Sequence, residues 1–225
     1  WGELVVHHRA GTRKYYDLAG RHIPQDIFDR LGPNTTEEAY HRWHISRRID
    51  SIGLFWSRSG DAWLGIKGLN SAKRTAAIEE MVRSGELIEL EIEGFDYPVY
   101  TSSVNRELLD RSHESTGAPE ASFIAPLDNL LWDRKFIKSL FQFEYTWEVY
   151  KRPQDRKYGY YVLPVLFGRE FVARFEPVFD KKKRVLNIKN WWWEEGVVVT
   201  EDMKEAIRKC TDDFAGFLGA EKIAT

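Results

Sequence analysis

One cysteine in 225 residues removes two classes of protein at once. A lone thiol builds neither a disulfide framework nor a thiolate metal cluster within one chain. Its scarcity fits a reducing, cytoplasmic setting. No apolar run approaches the roughly 18 residues that a membrane-spanning helix needs, and the first residues do not read as a signal peptide. An excess of either charge is missing too: Lys+Arg is 33 and Asp+Glu is 35, a formal net charge of −2. A near-neutral total neither demands nor forbids a nucleic-acid partner, so only local clustering speaks to it. P-loop, Gly-x-Gly-x-x-Gly, Gly-x-Ser-x-Gly and His-Glu-x-x-His signatures are all absent.

The histidines do not fill the gap. His41 and His44 lie three apart on an expected helix, and His7 adjoins His8. Zinc needs three or four ligands, and adjacent strand residues point to opposite faces. These read as structural or surface histidines, with no metal and no organic cofactor expected.

What is present is apolar and aromatic: 43% hydrophobic and 14% aromatic residues, enough for a sizeable core. The chain carries a weak internal repeat. "WGELVVHHRAGTRKYYDL" opens it, and "SGELIELEIEGFDYPVYTSS" recurs at Ser84. Both read as hairpins, with loops around Gly11 and Gly94. Helices should precede the second. Thr35 and Glu38 have capping-box spacing, and Ala39, Trp43, Ile45, Ile49 and Ile52 follow at helical spacing. A second helix runs through "LNSAKRTAAIEEMVRSG", capped by Ser71 and stopped by Gly85. Helix, helix, hairpin is the order of a winged helix-turn-helix unit. The first hairpin has no such prelude, so we expect it to be the wing of a truncated unit whose helices precede Trp1 in the parent protein.

The expected class is therefore α+β, with tandem winged helix-turn-helix units followed by a β-rich C-terminal region closed by a helix. The expected domains are a remnant wing at 1–30, a complete unit at 31–105, a linker at 106–124 and the β-rich domain at 125–225. In the last, a helix is expected from Asp128 and strands near Tyr145–Tyr150, Tyr158–Leu166, Phe171–Glu176 and Arg184–Trp192. The closing helix is capped by Thr200 and ended by Gly219. Its apolar stripe is Met203, Ile207, Cys210, Phe214 and Phe217, which makes Cys210 a small hydrophobe.

Basic clusters supply the candidate DNA-binding residues. In "YKRPQDRKYGYY", Lys151, Arg152, Arg156 and Lys157 against Asp155 leave a net charge of +3 over seven residues. Duplex DNA carries a charge every ~1.7 Å, so a compact cationic hairpin tip gains by counterion release. The plain alternative is a solvated turn, with the flanking tyrosines packed as core. Arg13 and Lys14 lie past the tip of the first hairpin, where a wing contacts backbone. Lys73 and Arg74 open the expected recognition helix, although Glu79 and Glu80 follow on it. "DKKKR" at Asp180–Arg184 reads as a solvated turn.

One long stretch resembles a known family. "APLDNLLWDRKFIKSLFQFEYTWEVYKRPQDRKYGYYVLPVLFGREFVARFEP", Ala125 to Pro177, is similar to the winged-helix DNA glycosylases of the AlkZ/YcaQ type. The resemblance rests on Pro126, Asp128, Leu130 to Arg134, Phe141 to Tyr145, Glu148, Tyr150 and Tyr158 to Pro164. "AKRTAAIEEMVRSGEL" adds a helix-into-wing match. The resemblance implies double-stranded DNA as partner and a concave binding surface. It also implies catalysis from a Gln-x-Gln or Gln-x-Asp motif in an N-terminal unit, upstream of Trp1. Gln25, Gln142 and Gln154 form no such motif, so no catalytic residue is expected here. The chain would then be the DNA-binding C-terminal part of a repair glycosylase. A winged-helix transcription regulator and a winged-helix protein-interaction scaffold are the alternatives.

Overall fold

The computed structural model describes residues 3–30, 32–112 and 117–224. It is a mixed α/β molecule with six α-helices and three sheets among these residues. Among the described residues no helix is long and apolar enough to cross a membrane.

Strands β1 (Leu4–Ala10) and β2 (Arg13–Leu18) form the first expected hairpin, turning at Gly11. A short helix α1 (Gln25–Phe28) follows. Helix α2 (Glu37–Ile52) starts one residue later than its capping-box spacing suggests. Thr36 is the cap, its Oγ1 accepting the Ala39 N–H at 3.1 Å. The inward stripe is also shifted: His41, Ile45 and Ile49 are buried, whereas Trp43 is 43% exposed. The His41 imidazole is satisfied by its Nε2 contact with Lys67 O at 2.9 Å.

A strand that sequence reasoning did not expect, β3 (Phe55–Trp56), precedes α3 (Ser71–Arg83). Asn70 caps α3 in place of Ser71, accepting the Lys73 N–H at 2.9 Å. Strands β4 (Leu87–Leu90) and β5 (Val99–Ser102) then form the second expected hairpin, and β3 adds to β5 to give the order β3-β5-β4. The polar connection expected at 106–124 holds helix α4 (Arg106–Arg111) and an edge strand, β6 (Ala121–Phe123).

The helix expected from Asp128 breaks in two. A 3-10 turn at Asn129–Leu131 is capped by Asp128, and Asp133 then starts α5 (Arg134–Phe141) by accepting the Phe136 N–H at 3.0 Å. No strand forms at 145–150, and the strand expected from Tyr158 begins only at β7 (Leu163–Phe167). Strands β8 (Glu170–Asp180) and β9 (Val185–Trp193) follow, then α6 (Glu201–Leu218) and β10 (Lys222–Ala224). The resulting sheet has the order β10-β9-β8-β7-β6, with only the β10–β9 pair parallel. Thr200 and Gly219 cap α6 as expected. Its buried stripe runs out early, because Phe217 is 85% exposed.

Two cores hold the molecule. The first gathers Ile45 and Ile49 of α2, Phe55 and Trp56 of β3, Ile78 and Met81 of α3, and Val99 of β5. The same cluster contains Leu131, Phe136, Ile137, Phe143, Tyr145 and Phe171, so it crosses the domain boundary expected at 124/125. Phe136 stands edge-on to Phe55 at 5.1 Å and to Trp56 at 5.3 Å, an arrangement aromatic quadrupoles favour. The second core lies between the five-stranded sheet and α6, with Val165, Val172, Phe175, Met203 and Ile207.

Candidate nucleic-acid interface

The basic stretch at 150–161 is a loop, not a hairpin tip, and two buried carboxylates give it its shape. Glu148 and Glu176 are 4% and 3% exposed. The Glu148 carboxylate accepts the backbone N–H of Lys157 at 3.0 Å and of Tyr158 at 2.8 Å, and a bond from Lys151 Nζ at 2.8 Å. Glu176 accepts the Tyr160 N–H at 2.7 Å and the Asn190 side-chain amide at 3.2 Å. Burial alone would raise the Glu148 pKa, but these donors outweigh it and bring it down to about 2. Burial likewise works against Glu176, and its donors again win, leaving it below the ordinary glutamate value.

Gly159 is what lets the loop lie this close. A Cβ there would stand 2.6 Å from Glu176 Cδ, so the position needs a residue without a side chain.

The four cations of the loop are not equivalent. Lys151 is bound to buried Glu148, and Arg152 Nε is paired with Asp155 at 2.7 Å. Arg156 and Lys157 make no ion pair with a described residue. Arg156 lies over the Tyr160 ring at 4.9 Å, and Lys157 over Tyr158 at 4.9 Å. The flanking tyrosines were expected in the core. Instead Tyr150 is 90% exposed, and Tyr160 and Tyr161 are exposed as well. With β-ladders missing on both sides, the loop has no strand faces to bury them. Tyr158 is the exception, packed edge-on against Trp192 at 5.3 Å.

Lys151, Lys157 and Tyr158 rim an open cavity of about 1260 Å³. Arg174 lies in its wall, buried between Phe143 (4.6 Å) and Tyr158 (4.3 Å), with its Nε on Glu194 at 2.6 Å. Gln142 also lines the cavity, but it closes α5 in a left-handed conformation and its amide is tied to Ser139 O at 3.1 Å. That is a capping role.

The remaining candidates separate. Arg13 and Lys14 are exposed at the β1–β2 tip. Lys14 stands directly opposite Arg9 in the ladder. Like charges so placed repel, and a bound polyanion would relieve the repulsion. Arg9 was missed by sequence reasoning, although the hairpin register would have shown it. Lys73 is ion-paired with Glu37. Arg74 must be removed from any surface contact: it is 4% exposed, and its guanidinium donates to Ser57 O at 2.7 Å, Ser71 Oγ at 3.0 Å and Ser59 Oγ at 3.2 Å. Helical spacing could not reveal this, because Ser57 and Ser59 come from the chain after β3, and only Ser71 lies on α3 itself. The connection between β4 and β5 carries Glu91, Glu93 and Asp96, an anionic tip unlike that of the first hairpin. At 180–184, Asp180 folds the turn by accepting the N–H groups of Lys182 and Lys183, both at 3.0 Å.

The reasoning that kept His7 and His8 apart also needs correction. A β-bulge between Val6 and His8 removes the alternation, and the two Nδ1 atoms lie 2.8 Å apart. Even so, no three metal-ligating side chains converge among the described residues.

The candidate interface thus comprises Arg156 and Lys157 held on tyrosine rings, Lys157 and Tyr158 at the rim of the cavity, and a second cationic tip on the first hairpin. No solved structure matches this chain at a significant level. A family model described as DNA glycosylase AlkZ-like matches residues 1–217. With that match covering nearly the whole sequence, the chain belongs to the AlkZ-like DNA glycosylase family.

Proposed function

We propose that this chain binds duplex DNA and positions it for a DNA-repair glycosylase-like activity. The observation that carries the reading is the loop at 150–161, where the Arg156 and Lys157 side chains form no ion pair with a described residue, on a backbone fastened by Glu148 and Glu176. A loop already ordered loses little entropy on binding, so its cations gain nearly all of the counterion release. Glu148 and Glu176 are positioning residues, and no residue of the chain is assigned the chemistry of base excision.

The element order α2, β3, α3, β4, β5 supports a winged helix-turn-helix unit at 31–105, with the β1–β2 hairpin as a further wing. In this unit α3 offers a DNA groove little positive charge, since Arg74 is internal and Lys73 is paired with Glu37. A protein-interaction scaffold is the second reading. The anionic β4–β5 tip favours it for that face.

Affinity for undamaged and alkylated duplexes across a salt series tests the proposal. Arg152, Arg156 and Lys157 changed together to Ala should reduce the slope of log K against log salt by roughly two to three units. An unchanged slope would return the loop to a solvated turn. Absence of salt-dependent binding in the unaltered chain would favour the scaffold.

A further inference from the structure

Helix α2 carries a second cation–aromatic array that belongs neither to the loop nor to the first hairpin. The Arg47 guanidinium lies over the Trp43 ring at 5.1 Å, and that of Arg48 over Trp132 at 4.6 Å. His44 joins the two, edge-on to Trp43 at 4.7 Å. Burial lowers its pKa, and the nearby Arg48 and Arg47 lower it further. Both tryptophans are substantially exposed, Trp43 at 43% and Trp132 at 39%. Neither arginine has a carboxylate within ion-pair distance among the described residues. The nearby Asp50 instead accepts a bond from Ser46 Oγ at 3.2 Å. Arg48 also donates to Leu64 O at 3.3 Å, which ties this helix face to the chain after β3.

Two adjacent unneutralised arginines repel each other. Large aromatic rings on the surface forgo burial. Here the two costs coincide, and the rings fix the guanidinium planes while leaving N–H groups available beyond the one that Arg48 gives to Leu64 O. We propose that this face of α2 is a phosphodiester-binding site, with Arg47 and Arg48 each contacting a backbone phosphate of duplex DNA. Charge complementarity selects the ligand. Each tryptophan already carries its own arginine on the ring, so the array is built to hold phosphates and not to stack unpaired bases. The site rests on the DNA-binding reading above but is separate from the 150–161 loop.

Salt-dependent binding of a defined duplex distinguishes the two. Arg47→Ala with Arg48→Ala should reduce the salt slope by about 1.8 units and weaken binding ten- to hundredfold near 0.1 M salt. Arg47→Ala alone, at an exposed position, should remove about half of that slope change, and it guards against a folding defect in the pair. Arg47→Lys with Arg48→Lys should keep most of the slope yet bind severalfold more weakly, because an ammonium lacks the planar fork. Slopes that match the unaltered chain in both alanine variants, while the 150–161 variant loses its own, would overturn this site and leave the DNA reading standing. A lysine pair that binds like the unaltered chain would overturn the role given to the stacked planes. No salt-dependent binding by the unaltered chain would overturn both proposals together.

Discussion

Gly60 and Gly159 each lie against a buried carboxylate, and neither is needed for backbone freedom. A Cβ on Gly60 would stand 1.8 Å from Asp133 Oδ2, in a backbone that is extended and open to any residue. Gly60→Ala should therefore destabilise the fold by about 1–3 kcal/mol through forced displacement of the α5 cap, as read by thermal or urea unfolding. Stability equal to the unaltered chain would mean that Asp133 moves aside freely. At Glu148 the effect is one of charge. Its folded pKa of about 2 lies below the ordinary 4.5, so its stabilisation is complete above about pH 4.5 and is lost as pH falls towards 2. Through linkage this is on the order of 3 kcal/mol. Glu148→Gln should lower stability at neutral pH and flatten the acid limb of the stability–pH curve. An acid limb of unchanged steepness in the variant would show that Glu148 is not the titrating group.

The elements show how small shifts in a pattern decide what faces out. Two threonines precede α2, and only Thr36 supplies the cap. Thr36→Ala should cost about 1 kcal/mol, and Thr35→Ala close to nothing; equal losses would argue against this cap. The same element presents His41 inward and Trp43 outward. Apolar spacing alone predicts the reverse, because a histidine with a waiting carbonyl acceptor can be buried at little cost. In α5, Asp133 interrupts what reads as one continuous helix. A residue whose side chain captures the Phe136 N–H starts a new helix more readily than it sits within one.

For the whole molecule, the shared core matters most. Leu131, Phe136, Ile137, Phe143, Tyr145 and Phe171 complete the core built by α2, α3 and the β3-β5-β4 sheet. Phe136→Ala should cost about 3–5 kcal/mol. A fragment of residues 31–124 should fail to fold, because it leaves the buried faces of Phe55 and Trp56 in water. A cooperative thermal transition in that fragment would show the unit to be autonomous. The proposed DNA contacts also belong to the scale of the whole molecule: Arg156 and Lys157 on one loop, Arg9, Arg13 and Lys14 on one hairpin, and Arg47 and Arg48 on α2 are far apart in sequence.

The sequence by itself determined both hairpins, the three long helices with their approximate ends, the impossibility of an internal disulfide or thiolate cluster from one cysteine, and the family. These rest on short-range signals: turn glycines, cap residues and side-chain period. Only the tertiary structure decided that Arg74 is internal, that 150–161 is a loop fastened to Glu148 and Glu176, and that Trp43 and Trp132 carry arginines on their rings. Each depends on partners up to 84 residues apart, as Arg48 and Trp132 are. A side chain's charge is written in the sequence. Whether that charge is buried, paired or free depends on which distant groups the fold brings to it.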